Sequence, residues 1–362
     1  MARESVRMTC SKISPEAYSK QIRKGRDGHP AKKEKNMFNK KIIDLTERII
    51  NYGGDAVSYE DACELAQLPE KDTMDLLFCA HKIKKMREEK ETILCSIINA
   101  KSGFCSEDCA FCAQSSHHRT EIKTYPLLDE EEIVKSAIEL ESGGATRYSM
   151  VTSGYMLTDK ELDIICRSAA AIARETDLTV CASLGMLTEA TARRLKEGGI
   201  DVYHHNLETA RSFFDKVCTT HNYEEDIITV KIAKAAGMKV CSGGILGLGE
   251  TWEQRVELAF TLKELDVDGI PINFLNPIAG TRMENRPLLL PLEALKCIAI
   301  FRFVNPDKNI LICGGREVTL RDYQSWAMLA GANGLMIGNY LTTQGRNIKM
   351  DIDMVKDHQA LL

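Results

Sequence analysis

Eight apolar runs rich in β-branched residues recur along the chain, at 93–98, 145–151, 178–184, 200–206, 238–245, 270–275, 309–313 and 334–338. Amphipathic stretches with helix signals separate them. Strands that alternate with helices pair in parallel, because the crossover helix returns the chain to the same edge. Eight similar units offer no topological switch point, so they predict an α/β fold of the (β/α)8 TIM-barrel type. An open doubly wound sheet is the alternative. Helix ends are legible too. Thr158-x-x-Glu161 and Thr251-x-x-Gln254 fit capping boxes. Gly143-Gly144, Gly198-Gly199 and Gly237 stand where helices must end and turn toward the next strand. Before the first run, 38–52 and 58–89 read as helices. The expected organisation is one domain over 37–362, with N-terminal helices at 37–90 and a barrel at 91–345.

Residues 1–36 stand apart. They hold ten Lys/Arg against four Asp/Glu and few apolar side chains to bury, which reads as a mobile basic tail. The whole chain carries a net charge of −5, so no global basic field points to nucleic acid. No apolar stretch is long enough to span a bilayer, and no secretory core is visible near the start. A cytoplasmic setting is expected. Thirteen cysteines, an odd number, then argue for reduced thiols and metal ligation rather than a disulfide framework.

Three of those thiols fall within eight residues, in Cys105-Ser-Glu-Asp-Cys109-Ala-Phe-Cys112. Three thiolates this close can hold three corners of an iron–sulfur cube and leave one iron open. A fourth thiol, as in electron-transfer clusters, is missing from the stretch. Zinc with His117 or His118 as fourth ligand is the competing reading. The triad follows the first strand, at the barrel face where reacting groups gather. Cys181, Cys241 and Cys313 lie near the ends of three other strands, positions that converge inside a barrel and make a second metal site plausible. Each alone would read as a buried core cysteine. The remaining thiols, Cys95 and Cys218 among them, read as core or incidental. Gly243-Gly-Ile-Leu-Gly-Leu-Gly-Glu250 is neither a dinucleotide fingerprint nor a Walker loop, which leaves close backbone approach to a ligand or a tight turn. Asn206, Glu208 and Asn273 are polar at strand positions that could face a small ligand. Arg147 and Arg316 need an anionic or metal-site partner if they face inward.

The triad, with Phe111 before its last cysteine, resembles the signature of radical S-adenosylmethionine enzymes. The stretches from Cys105 to Ser115, His205-Asn-Leu-Glu-Thr209, Val240 to Thr251, Pro271-Ile-Asn-Phe-Leu275, Gly314-Gly-Arg-Glu317, Ala330-Gly-Ala-Asn333 and Leu341-Thr-Thr343 narrow the resemblance to the biotin synthases. It runs in order from about residue 38 to 345. The resemblance implies a complete barrel, usually a homodimer, in which a 4Fe–4S cluster on Cys105, Cys109 and Cys112 binds S-adenosylmethionine at its open iron. An electron from reduced flavodoxin or ferredoxin cleaves the sulfonium. The 5′-deoxyadenosyl radical takes hydrogen from dethiobiotin, and an auxiliary cluster supplies sulfur. The cofactor-binding residues implied are Phe111, Arg147, Asn206, Glu208, His221, Gly243, Gly244 and Ile245. Those implied for substrate are Asn206, Asn273, Thr342 and Thr343.

One position departs from the family's well-known form, which holds a 2Fe–2S cluster on three cysteines and an arginine. Two of those cysteines match Cys181 and Cys241, and the arginine is matched to Arg316. The third cysteine is replaced by Ser149, a poor ligand for soft iron–sulfur sites. The expected ligand set is therefore Cys181, Cys241 and Cys313, with Arg316 at or near it. A four-iron cluster with an extra sulfide is favoured over a 2Fe–2S cluster.

Overall fold

The computed structural model describes residues 38–86 and 92–360. The tail reading for 1–36, and the last residues of the second predicted helix, lie outside them. Helix α1 (Lys40–Tyr52) comes first. The single helix expected over 58–89 is instead two, α2 (Tyr59–Ala66) and α3 (Thr73–Lys85), joined by a 3-10 turn at Glu70–Asp72. Pro69 explains the break. It has no N–H for a helical bond, and it disfavours helical geometry at Leu68 before it.

The barrel then alternates β1 (Ile93–Lys101), α4 (Glu130–Ser142), β2 (Arg147–Thr152), α5 (Asp159–Glu175), β3 (Thr179–Ser183), α6 (Glu189–Glu197), β4 (Val202–His204), α7 (Tyr223–Ala235), β5 (Lys239–Cys241), β6 (Gly244–Leu246), α8 (Trp252–Glu264), β7 (Gly269–Phe274), α9 (Pro291–Val304), β8 (Asn309–Ile312), α10 (Arg316–Leu320), α11 (Trp326–Leu329), β9 (Gly334–Met336) and α12 (Ile348–Ala360). All eight predicted runs are strands. The fifth is split into β5 and β6. Every pairing among them is parallel, and the order β5-β4-β3-β2-β1-β9-β8-β7-β6 closes where Cys241 of β5 meets Gly269 of β7. The architecture is a closed (β/α)8 barrel with an N-terminal helical segment.

The split has a steric cause. A Cβ at Gly243 would sit 1.9 Å from the Pro271 carbonyl oxygen. The chain can jog there only because that residue has no side chain. Both capping boxes form, at Thr158 with Glu161 and at Thr251 with Gln254. Gly144, Gly199 and Gly237 take positive φ at the helix ends. The N-terminal helices are tied to the barrel layer by buried lysine. Lys296 of α9 donates to the carbonyls of Ala66 and Leu68 at 2.7 and 2.8 Å, which satisfies the free end of α2. At the other terminus, Asp351 of α12 accepts from Arg316 Nη2 at 2.6 Å, with both side chains buried.

Candidate functional site

A cavity of about 450 Å³ opens at the C-terminal ends of the strands. Its volume lies in the range of small-molecule sites. Cys105, Cys109 and Cys112 line it together with Phe111, Asn206, Glu208, His221, Ile245, Asn273, Cys313, Thr342 and Thr343. Expected residues scattered over more than 200 positions thus meet in one place.

The triad sits on the long β1–α4 loop. Cys105 N–H donates to the Gln114 carbonyl at 3.1 Å, Ser116 N–H to the Cys105 carbonyl at 2.8 Å, and Cys112 N–H to the Cys109 carbonyl at 2.9 Å. These bonds fold the loop back on itself and turn the thiols toward the cavity. Gly103 begins the turn at φ +81°, where a Cβ would lie 2.4 Å from Thr124. Burial pushes the Cys112 thiol up to about 11. A thiol held protonated in this way ionises when a metal takes it.

Thiolates around one zinc ion would stand about 3.8 Å apart, given a bond of about 2.3 Å and tetrahedral geometry. Among the described residues, only Glu107, Cys218 and His221 bring three ligand atoms within 4.8 Å of one another. The triad is wider than a single-ion site, and neither His117 nor His118 joins it. The nitrogen His118 Nδ1 is engaged by the Cys112 carbonyl at 2.8 Å, and His117 Nε2 by that of Ser106 at 2.9 Å. Three soft sulfur donors facing a cavity, too far apart for one ion, fit a multi-iron cluster.

Beside the triad runs an acid–histidine wall. His221 Nδ1 lies 2.7 Å from Glu107 Oε2 and 3.3 Å from Cys218 Sγ, and its Nε2 lies 3.4 Å from Asp226. Burial alone would lower this imidazole, but its bonds to Asp226, Cys218 and Glu107 prevail and raise it to about 11. It is a fixed cation at neutral pH. His205 Nε2 holds the other Asp226 oxygen at 2.8 Å. Cys218 Sγ stands 3.8 Å from Cys109 Sγ. Glu107, Cys218 and Asp226 carried no motif that the sequence reading singled out as functional, because their proximity depends on the β4–α7 loop folding over the triad.

Glu208 is built into the cavity by strain. Its φ is +60°, unusual for a residue with a side chain. The conformation is held by Ile245 N–H donating to its carbonyl at 2.8 Å, and by Gly244, where a Cβ would lie 2.5 Å from that oxygen. Burial, then the neighbouring Asp226, raises its carboxyl to about 8. Asn273 Oδ1 accepts from Gly314 N–H at 2.9 Å and its amide nitrogen donates to the Gly244 carbonyl at 3.4 Å, which leaves one N–H for a ligand. Thr342 and Thr343 line the same cavity.

Of the interior thiols, Cys313 borders the cavity and Cys95, Cys181 and Cys241 do not. Cys181 packs with Val202 and Cys241, and Cys313 packs with Leu311 and Cys95. Burial pushes all four thiols up, Cys95 to about 11 and Cys241 to about 12. The charge of Arg147, below them, acts against burial at Cys95, Cys181 and Cys241. Arg147 does not line the cavity. Ser149 lies 3.3 Å from His204 Nδ1. The other ring nitrogen of His204 is buried without a partner, an open polar atom between thiols and cavity. The guanidinium of Arg316 is bonded to Asp351, Gln324 and the Met336 carbonyl, its Nε is buried without a partner, and its charge is felt at Cys313.

Comparison with known proteins agrees with this geometry. The family model described as the Radical SAM superfamily matches residues 100–262, and that of the Biotin and Thiamin Synthesis associated domain matches 271–360. The chain is 59% identical to a biotin synthase of Syntrophus aciditrophicus over 86% of its own length and 96% of the relative's. It is 54% identical to one of Geotalea uraniireducens over 86% and 95%. Among solved structures, methylornithine synthase superposes with a TM-score of 0.75 at 20% identity, covering 88% of this chain and 96% of that one. The FeFe-hydrogenase maturase HydG of Carboxydothermus hydrogenoformans gives 0.73 at 19%, covering 88% and 78%. At such identities these two show the shared fold alone.

Proposed function

The chain belongs to the biotin synthase family, and from that premise we propose how its own residues convert dethiobiotin to biotin by radical sulfur insertion. Cys105, Cys109 and Cys112 hold the 4Fe–4S cluster, and Cys181, Cys241 and Cys313 hold an auxiliary cluster, a four-iron one with an extra sulfide. When bound, the first supplies the electron that releases a 5′-deoxyadenosyl radical from S-adenosylmethionine, and the second supplies the sulfur. The observation that carries this reading is that the triad, Asn273, Thr342, Thr343 and Cys313 all border one cavity with the other interior thiols beneath it.

The remaining work belongs to the chain. The His221 cation attracts the methionine carboxylate of S-adenosylmethionine. Glu208 and Asn206 hydrogen-bond the ribose, and the Gly243–Gly244 backbone with Ile245 and Phe111 shapes the adenosyl pocket. Asn273 donates its amide N–H to the ureido ring of dethiobiotin, and Thr342 and Thr343 receive its carboxylate. The closed barrel keeps water and oxidisable surface away from a reactive carbon radical. Reduced flavodoxin or ferredoxin is the electron donor in this account, and the working form is a homodimer.

Anaerobic reconstitution with a strong reductant tests it. The expected products from dethiobiotin are 5′-deoxyadenosine and biotin. A chain that releases 5′-deoxyadenosine but no biotin acts on another substrate. One that releases neither is not a radical enzyme.

A further inference from the structure

We propose that Cys95, on β1, is a ligand of the auxiliary cluster. The proposal rests on the reading that the barrel holds such a cluster, and it changes which thiols hold it.

The argument begins with strand register. Cys95 pairs with Arg147, and Arg147 with Thr179, two residues before Cys181. Cys181 pairs with Val202, and Val202 with Lys239, two residues before Cys241. Cys241 pairs with Gly269, and Gly269 with Asn309, two residues before Leu311. Leu311 pairs with Gly334, and Gly334 with Ile93, two residues before Cys95. The path returns to its start after four equal steps. That is the shear of eight of a (β/α)8 barrel, in which alternate strands contribute the four side chains of one interior layer. Cys95, Cys181, Cys241 and Leu311 are therefore one layer. Three of its four members are thiols.

Such a layer is normally filled by bulky Val, Ile or Leu. Here three small sulfur side chains replace them, and the layer below contains Gly269 and Gly334. The position of Ser149 is one step above, and its hydroxyl is already beside His204. Cys313 stands two residues beyond Leu311 on the same strand, packed with Leu311 and Cys95. Four thiols on four alternate strands thus surround the barrel axis. Cys313 is the one that borders the cavity; Cys95, Cys181 and Cys241 lie below it. Cys95, Cys181 and Cys241 would hold the cluster, with Cys313 between them and the cavity. The thiol that Ser149 lacks on β2 is supplied from the neighbouring strand.

The test uses a chain in which Cys105, Cys109 and Cys112 are all alanine, so that only the auxiliary cluster is counted. Anaerobically loaded, this parent is expected to hold about four irons. Adding Cys95→Ala is expected to lower iron and sulfide and to give the EPR signal of a three-iron cluster. Cys95→Ser, placed alone in the otherwise native chain, exchanges the ligand sulfur for oxygen. Its Mössbauer spectrum should show one auxiliary iron shifted by an oxygen ligand. Iron, sulfide and Mössbauer spectra unchanged by both Cys95 substitutions would overturn the proposal alone. A parent that binds no iron would overturn the auxiliary-cluster reading together with it.

Discussion

Single residues set the charge state of the cavity. Glu208 is buried in a strained conformation, and its carboxyl is raised from 4.5 to about 8. Below its unfolded value the group is protonated in both states. Between the two values only the folded chain keeps the proton, so the stability linked to that proton is lost as pH rises through about 8. The cluster-free chain should lose stability across this window, and Glu208→Gln should lose less; equal denaturant midpoints for both proteins at each pH would refute the assignment. His221 makes the opposite contribution, as a cation aimed at an anionic ligand. His221→Gln should weaken S-adenosylmethionine binding by about 1.5–3 kcal/mol, roughly ten- to hundredfold, as read by equilibrium binding to the cluster-loaded protein. Residues at this scale were legible where they formed a local pattern. The spacing of Cys105, Cys109 and Cys112 announced a group of thiols, and the structure brings all three to one cavity. Cys218 and Asp226 did not, because each is an ordinary residue until loop closure brings it to His221. Cys95 was passed over because it lies near the start of its strand, whereas Cys181, Cys241 and Cys313 lie near the ends of theirs.

At the scale of elements, two junctions carry the site. One is the jog between β5 and β6. Gly243 cannot gain a Cβ, because the atom it would meet is backbone. Gly243→Ala should therefore displace β6 from β7 and abolish 5′-deoxyadenosine release, while a Gly237→Ala control, with nothing within 4 Å of its added Cβ, pays only for its positive φ. Retained 5′-deoxyadenosine release by Gly243→Ala would show that the jog is dispensable. The second junction ties α12 to the β8–α10 turn through Arg316 and Asp351. Asp351→Ala leaves a buried guanidinium short of its carboxylate, and such a loss costs about 3–5 kcal/mol. Chemical denaturation should show it, and a change below about 1 kcal/mol would mean that Glu317, Gln324 and the Met336 carbonyl suffice. Capping boxes and strand runs were readable because they depend on neighbours in sequence. The division of 58–89 at Pro69 was also written locally and was missed, since apolar periodicity continues across the turn. The inward or outward direction of Arg316 depends on α12, more than thirty residues away, and no local pattern encodes it.

The whole molecule is a barrel whose interior carries thiols from four strands. Eight strand–helix repeats sufficed to predict closure, and the closed register then arranged thiols from four strands around one axis. No helix among the described residues is long and apolar enough to cross a membrane. On the proposed reading the radical is made at the mouth and the sulfur is held below, so the substrate carbon lies between the two thiol sets. That vertical arrangement is the central claim. It is tested most directly by loading the chain with iron and isotopically heavy sulfide, removing free sulfide, and running a single turnover with dethiobiotin and S-adenosylmethionine. The account predicts biotin carrying the heavy sulfur in native protein, and none when Cys181 and Cys241 are both alanine although 5′-deoxyadenosine still forms. Biotin with unlabelled sulfur, or labelled biotin from the doubly substituted chain, would contradict it.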